Sequence, residues 1–290
     1  MKIGVGLNRL QRLKEYSRWG DDCYKKMKEF GFSCVDYNMG NENHIIYTAD
    51  EATADAYLLR EKELSEQAGI EISQTHGPWR WPPKDDTAEA RADWLNKMKQ
   101  AVRATAVLGC KYCVVHPIMP FGIQEIGMPE ADLTWKMNLD FMREVVKTAV
   151  EYNVTVCLEN MPMPRFSMGT PEAVLRFVRE IDNEHLKICL DTGHVSVYGS
   201  DLNLADEVRR LGDYIKVLHV HDNKYGYDAH LIPGLGDTDW EAFAKALKDI
   251  GYKGVFSLET APSPKWTDDI FAETSVSLVK IAQNIARYAE

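Results

Sequence analysis

The segment that decides the fold is residues 155–191, which read TVCLENMPMPRFSMGTPEAVLRFVREIDNEHLKICLD. An apolar strand-like run, Thr155–Glu159, is followed by the helical pattern Pro171–Ile181 and then by a second apolar run, Lys187–Asp191. Thr170 just before the proline is typical of a helix start, because its side chain can cap free N–H groups and proline suits the first helical position. The segment therefore predicts a strand–helix–strand unit with parallel strands.

The same alternation continues along the chain. The eight strand candidates are Lys2–Leu7, Cys34–Asn38, Glu71–Thr75, Tyr112–His116, Thr155–Glu159, Lys187–Asp191, Lys216–His221 and Val255–Glu259. Helical patterns between them include Ala92–Leu108, Leu139–Tyr152, Pro171–Ile181, Trp240–Ile250 and Phe271–Tyr288. Gly109 and Gly251 stand where a left-handed residue would end a helix before a strand. Eight such units predict an α/β fold, a single (β/α)8 TIM barrel over residues 1–290, and no Gly-rich phosphate loop favours an open sheet.

Composition limits the functional classes. The net charge is −10 and no lysine or arginine cluster offsets it, whereas proteins that bind duplex nucleic acid usually carry a basic surface. A small neutral substrate fits this charge better than nucleic acid does. The sequence shows no signal peptide and no apolar stretch long enough for a membrane helix, so we expect a cytoplasmic protein without a membrane partner.

Acidic and imidazole side chains stand at the ends of the last six strand candidates. They are His76, His116, Glu159, Asp191, His194, His219, His221 and Glu259. Because the carboxyl ends of barrel strands meet at one mouth, these groups should share a small volume. Carboxylates packed so closely would repel one another and take up protons unless a cation compensated them. The sequence therefore predicts a divalent-metal site, and its expected ligands are Glu159, Asp191, His221 and Glu259.

The identity of the metal follows from the donors. Three carboxylates and one imidazole suit manganese first, then magnesium or cobalt, with zinc an option if further histidines bind. We expect His219 to stay outside the metal shell, with strand alternation directing it away from His221. A single histidine at a strand end is usually structural. The metal site is indicated because acidic or imidazole side chains recur at the ends of six consecutive strands.

These motifs resemble the xylose-isomerase-like TIM barrel superfamily, which holds sugar phosphate isomerases and epimerases together with abasic-site endonucleases. The stretches that carry the likeness are Thr75–Pro78, Val115–Pro117, Leu158–Asn160, Leu190–His194, His219–Asn223, Asp228–His230, Pro233–Gly236 and Leu258–Glu259. The resemblance implies the metal ligands named above and a sugar isomerase or epimerase that acts on a ketose, keto-polyol or related carbohydrate.

In such an enzyme Glu159 and Glu259 would form an acid–base pair that works through a metal-stabilised enediolate. The residues expected to contact the carbohydrate are His76, Trp79, His116, His194, Asp228 and His230. The resemblance also implies a homo-oligomer, either a dimer or a tetramer.

Two departures keep alternatives open. Ketose 3-epimerases carry an arginine where this chain has Tyr227, so recognition of the substrate should differ. The ligands of the three-zinc cluster of abasic-site endonucleases correspond to His76, His116, Glu159, Asp191, His194, His221, Asp228, His230 and Glu259, although Ala229 replaces an arginine of those enzymes. The alternatives are a metal-dependent dehydratase or glycoside-modifying lyase, a trinuclear-zinc abasic-site DNA endonuclease, and a non-catalytic sugar-binding barrel.

The loop after the third strand adds an aromatic feature. Trp79 and Trp81 lie in a proline-rich stretch where they would either stack on a sugar ring or cap the top of the barrel. Arg80 between them is a candidate for contacting a phosphate or carboxylate.

Overall fold

Parallel strands line the centre of the computed structural model, which describes residues 1–6, 19–224 and 226–290. In these residues the barrel strands are β1 (Ile3–Gly6), β2 (Cys34–Asn38), β3 (Glu71–His76), β4 (Tyr112–Val115), β5 (Thr155–Glu159), β6 (Leu186–Asp191), β7 (Ile215–His219) and β10 (Phe256–Leu258). From β1 to β7 each strand pairs with the next, and β10 pairs with β1. Between β7 and β10 the barrel is joined by one parallel bridge, from Val220 to Leu258. The predicted eight-stranded barrel is confirmed, while Leu7 of the first predicted strand lies outside the described residues.

Helices connect the strands and cover the barrel. They are α1 (Cys23–Phe30), α2 (Ile45–Thr48), α3 (Glu51–Ala68), α4 (Ala88–Val107), α5 (Glu130–Glu151), α6 (Pro171–Ile181), α7 (Thr192–Ser196), α8 (Leu204–Leu211), α9 (Trp240–Asp249) and α10 (Asp268–Ala286). The start of α6 is as expected, because the Thr170 side chain accepts a hydrogen bond from the Ala173 N–H at 3.2 Å. Gly109 and Gly251 have φ values of 74° and 67°, which confirms the predicted left-handed helix ends. No helix in the described part of the chain is long and apolar enough to cross a membrane.

The seventh barrel strand ends earlier than predicted. We expected a strand over Lys216–His221, but β7 ends at His219. An antiparallel hairpin follows, formed by β8 (Asp222–Lys224) and β9 (Tyr227–Leu231). This hairpin, which the sequence patterns did not reveal, carries Asp228 and His230 back to the barrel mouth.

A buried carboxylate holds the loop after the hairpin. Asp222 is fully buried, and its oxygens accept hydrogen bonds from the backbone N–H groups of residues 223, 234, 236 and 238. The indole Nε1–H of Trp240 donates a further bond at 3.0 Å. Gly236 is required there, since a Cβ would lie 2.2 Å from the Asn223 carbonyl oxygen. Asp222 therefore fixes the path of the chain that carries two of the predicted site residues.

We expect Asp222→Ala to lower the free energy of unfolding by roughly 3 kcal/mol, because it leaves five N–H donors, those of the buried Asn223 and Trp240 among them, without their charged acceptor. The measurement is urea unfolding followed by circular dichroism. Asp239→Ala is the matched control, since Asp239 is exposed and caps α9 through a single hydrogen bond to Ala242, a change that costs about 1 kcal/mol. Equal losses in the two variants would contradict the anchoring role of Asp222.

Candidate metal centre

Four side chains at the barrel mouth bring their possible ligand atoms within 4.8 Å of one another. They are Glu159, Asp191, His219 and Glu259. The first three are the last residues of β5, β6 and β7, and Glu259 directly follows β10. Glu159 and Asp191 are fully buried, which is costly for carboxylates unless a cation or hydrogen bonds compensate the charge. Three of the four predicted metal ligands are thus brought together.

His219, which we expected to stay outside the metal shell, lies among the carboxylates of the candidate site. Its Nδ1 lies 3.0 Å from Glu159 Oε1 and 3.5 Å from Glu259 Oε2. Its Nε2–H donates to Asp36 Oδ2 at 2.9 Å, in the interior of the barrel. Strand alternation was not a sound basis for that expectation, because residues two apart in a strand share a face. In addition, β7 ends at His219, so its pleat does not orient His221.

His221 lies at the edge of the same centre. Its Nε2 is 3.1 Å from Asp191 Oδ1 and 3.9 Å from Asp228 Oδ1, and its ring stacks on that of His230. The close approach of the ring requires a glycine in α7, because a Cβ on Gly193 would lie 1.9 Å from His221 Cε1. The predicted ligand belongs to two other possible donor groups, one with Asp191 and His194 and one with His230 and Glu259, but not to the group that contains all three carboxylates.

The other predicted polar residues form two flanking sets. On one side, His116 Nε2 and His76 Nε2 lie 2.8 Å and 3.6 Å from Glu159 Oε2. On the other side, His194 Nε2 and His230 Nε2 lie 3.6 Å and 3.5 Å from Asp228 Oδ2. The remaining predicted contact, Trp79, packs its ring 4.3 Å from that of His116. The structure thus gathers every predicted site residue around one mouth.

Most of these imidazoles are held by one ring nitrogen. His76, His194, His221 and His230 each place Nδ1 against a backbone carbonyl, at 2.9, 2.7, 3.3 and 3.0 Å respectively. Donation to these carbonyls leaves Nε2 facing the neighbouring carboxylates, where loss of its proton would free a lone pair for a metal, as is usual for histidines that bind metals. In His219 the roles of the two nitrogens are exchanged, with Nε2–H bound to Asp36 and Nδ1 facing the carboxylates.

Sequence reasoning missed two supporting residues. Asn160 exchanges two hydrogen bonds with the backbone of Asp191, at 2.9 and 3.1 Å, and so fixes the strand end that presents this carboxylate. Asp36 orients His219 and is itself bound by the side-chain amide of Gln74 at 3.1 Å. A single carboxylate within the apolar run of β2 was the signal that would have identified Asp36.

The pKa shifts show how charge is balanced in this cluster. Burial alone would raise the pKa of Glu159, but the neighbouring imidazoles of His219 and His116 hold it well below its usual range. Burial would lower the pKa of His194, but Asp191 and Asp228 raise it to about 10. The pKa of His219 is likewise raised well above its usual value, whereas burial lowers the pKa of His116. Protonated His194 and His219 therefore compensate the carboxylates here, a role that a bound cation can take over.

Several buried polar atoms are suited to a cation. Asp191 Oδ2, His221 Nε2 and Asp228 Oδ1 are inaccessible to solvent and have no hydrogen-bond partner among the described residues. Buried polar atoms are normally paired, so this concentration of exceptions beside three carboxylates fits a metal-binding site. His230 has a φ of 46°, an unusual value for a residue with a side chain.

A cavity of about 490 Å³ opens above the cluster. Glu159, His194 and Glu259 are among the polar residues that line it, and Trp79 and Trp81 contribute aromatic surface. The side chains that would hold a metal are thus accessible to a small molecule, in the manner of an active-site pocket.

Comparisons with known proteins agree with this architecture. The family described as xylose isomerase-like TIM barrel matches residues 24–273. An uncharacterized protein of Methanocaldococcus jannaschii is 31% identical over 205 residues, which cover 70% of this chain and 68% of that protein. A D-psicose 3-epimerase of Ruminiclostridium cellulolyticum is 29% identical over 214 residues, 71% of this chain and 69% of the enzyme.

The crystal structure of a D-tagatose 3-epimerase-like protein is also similar, with a TM-score of 0.74 and 27% identity over 99% of this chain and 98% of that one. The family match spans most of the chain, and the barrel has the expected strand order with donor groups at the strand ends. The chain therefore belongs to the xylose isomerase-like TIM barrel family.

Proposed function

We propose that this protein is a divalent-metal-dependent isomerase or epimerase of a ketose, keto-polyol or related carbohydrate. The observation that carries the proposal is that Glu159 and Glu259 both line the cavity and both belong to the four-residue donor group. Two acid–base groups are thus available beside a candidate cation site, as a proton transfer next to a carbonyl requires. The sugar epimerases among the similar proteins support the same reaction class.

The residues that would hold the metal are Glu159, Asp191, His219 and Glu259. We choose His219 over His221 because only His219 is grouped with all three carboxylates and because Asp36 holds its other nitrogen. A carboxylate behind a ligating histidine fixes the tautomer and strengthens the ligand. Three oxygen donors and one nitrogen make manganese the first metal to test, followed by magnesium, cobalt and zinc.

When bound, the ion supplies a Lewis acid that polarises the substrate carbonyl and acidifies the adjacent C–H. Glu159 starts as a carboxylate and can accept that proton, since its neighbours His219 and His116 hold its pKa low despite burial and a bound cation would have the same effect. Glu259, whose side chain is 19% exposed at the cavity, carries the proton that is returned from its own position, and exchange with solvent restores both groups afterwards. Return to the opposite face of the same carbon gives epimerisation, and return to the neighbouring carbon gives isomerisation. His194 Nε2, on the cavity wall, steadies a substrate oxygen.

An abasic-site endonuclease is the second candidate. The specific observation in its favour is that the structure brings together every residue that corresponds to a ligand of the three-zinc cluster, including the flanking sets around Glu159 and Asp228. Against it stand the net charge of −10 and the absence of lysine and arginine from the described cavity lining, because a nuclease must attract phosphates. The number of bound ions separates the two candidates.

We expect Glu159→Gln and Glu259→Gln each to lower turnover of a ketose substrate by at least about a thousandfold, since the amide cannot exchange the proton. The measurement is incorporation of solvent deuterium into the carbon next to the carbonyl, with folding checked by circular dichroism. Glu151→Gln, at the exposed end of α5, is the control and should keep full activity. Near-normal exchange in either active-site variant would refute the acid–base pair.

We expect His219→Ala to abolish binding of the first manganese ion and Asp36→Asn to weaken it roughly 10- to 100-fold through the lost support of the imidazole. His221→Ala should retain that ion, because the four proposed ligands, among them His219, are intact in this variant. Calorimetric titration of the metal-free variants with MnCl2 measures all three affinities. Loss of the ion in His221→Ala, together with its retention in His219→Ala, would restore the assignment made from the sequence.

We expect about one metal ion per chain in the purified protein and no cleavage of abasic DNA. Elemental analysis per mole of chain measures the first, and a gel assay with an abasic duplex measures the second. Two or three zinc ions together with DNA cleavage would replace the isomerase by the endonuclease.

A further inference from the structure

An exposed tryptophan stands at the outer edge of the cavity. Trp81 lines the cavity, yet 57% of the residue is accessible to solvent. A large aromatic side chain in this position leaves apolar surface in water, and such surface beside a pocket is characteristic of a binding site. The cavity thus has an aromatic wall that continues beyond the buried cluster.

The loop that presents Trp81 is held firmly on both sides of it. The backbone N–H of Trp79 donates to the Gly40 carbonyl at 2.8 Å. Arg80 turns away from the cavity: its guanidinium lies 4.2 Å over the Trp94 ring and donates to Asp85 and to the Lys84 carbonyl. A rigid loop presents an aromatic ring to a ligand at a low entropic cost.

The two tryptophans form a path that leads outward from the metal-binding residues. The Trp79 ring packs against His116, whose Nε2 is 2.8 Å from Glu159. The Trp81 ring lies 6.3 Å further along, centroid to centroid, and is tilted by only 33° from Trp79. This separation is comparable with the width of one sugar ring. A sugar bound at the metal beside Trp79 would leave Trp81 uncovered.

The charge of the cavity restricts the ligand. No lysine or arginine lines the cavity in the described part of the chain. Arg80, which the sequence offered as a phosphate contact, is engaged by Asp85 and Trp94 outside it. Among the described lining residues a phosphate would find no cationic side chain, and it would meet the carboxylate of Asp228. The described part of the lining therefore favours an uncharged ligand.

We propose that Trp81 forms an outer subsite for a second, uncharged sugar ring, so that the substrate is a glycosylated ketose rather than a free or phosphorylated monosaccharide. This inference rests on the proposed function, since it takes the first ring to bind at the metal. The apolar face of the outer ring stacks on the indole, an arrangement favoured by aromatic side chains with exposed faces. The volume of about 490 Å³ lies within the range of pockets that enclose ligands larger than a single hexose.

The test is calorimetric titration of the manganese-loaded protein with four sugars. They are fructose, fructose 6-phosphate, and the disaccharides maltulose and palatinose, which carry a glucose on O4 and O6 of fructose. We expect at least one disaccharide to bind about tenfold more tightly than fructose, and the phosphate to bind no more tightly than fructose. Trp81→Ala should remove this difference and leave the affinity for fructose unchanged.

Trp266→Ala is the matched control, because Trp266 is 43% exposed but lies outside the cavity lining. It should bind all four sugars as the unaltered protein does, and unchanged thermal midpoints show that both variants fold. The subsite is overturned if neither disaccharide binds more tightly than fructose, or if the advantage survives in Trp81→Ala. If a disaccharide binds more tightly but no bound sugar exchanges deuterium, the proposed isomerase activity is refuted, whereas the proposed Trp81 subsite is supported.

Discussion

The burial of Glu159 and Asp191 beside Glu259 at one end of an apolar barrel is the constraint on which the rest of the site depends. Charges in such a place are tolerated only when they are paired or bind a cation. The surrounding imidazoles supply the pairing when they carry protons, and a divalent ion can displace those protons. The positions of the histidines at the mouth follow from this requirement. Each of them faces a carboxylate through one ring nitrogen, and in most of them the other nitrogen is hydrogen-bonded to a backbone carbonyl.

Two fully buried aspartates show how similar chemistry serves different ends. Asp222 accepts hydrogen bonds from four backbone N–H groups and from Trp240, so its charge is used to hold a loop. Asp191 is bound through Oδ1, whereas its Oδ2 has no hydrogen-bond partner among the described residues. A satisfied carboxylate stabilises the fold, and an incompletely satisfied one beside others is ready to bind a ligand. The first positions the hairpin that completes the surroundings of the second.

The proposed reaction centre and the proposed recognition surface lie on different parts of the chain. The proposed metal ligands come from strand ends, which the barrel places rigidly. The aromatic wall formed by Trp79 and Trp81 comes from the loop after β3, which a salt bridge between Arg80 and Asp85 holds in place. Loops can change without disturbing the barrel, so one metal chemistry can serve different carbohydrates. The exposed Tyr227, at the start of β9, stands where the resemblance to ketose 3-epimerases implies an arginine, and it lies outside the barrel strands as well.

The sequence by itself determined the barrel, the mouth where the site lies, and the three carboxylates of the proposed centre. This was possible because strand ends of a parallel barrel converge whatever the details of packing. Only the tertiary structure placed His219 among the three carboxylates and His221 beside Asp191, because β7 stops at His219 and the chain then turns into the hairpin. Asp36 and Asn160 also emerged only from the fold, since their partners, His219 and Asp191, lie far away in sequence and meet them across the barrel. Local patterns specify which residues reach the mouth, whereas contacts between distant strands decide which atoms meet there.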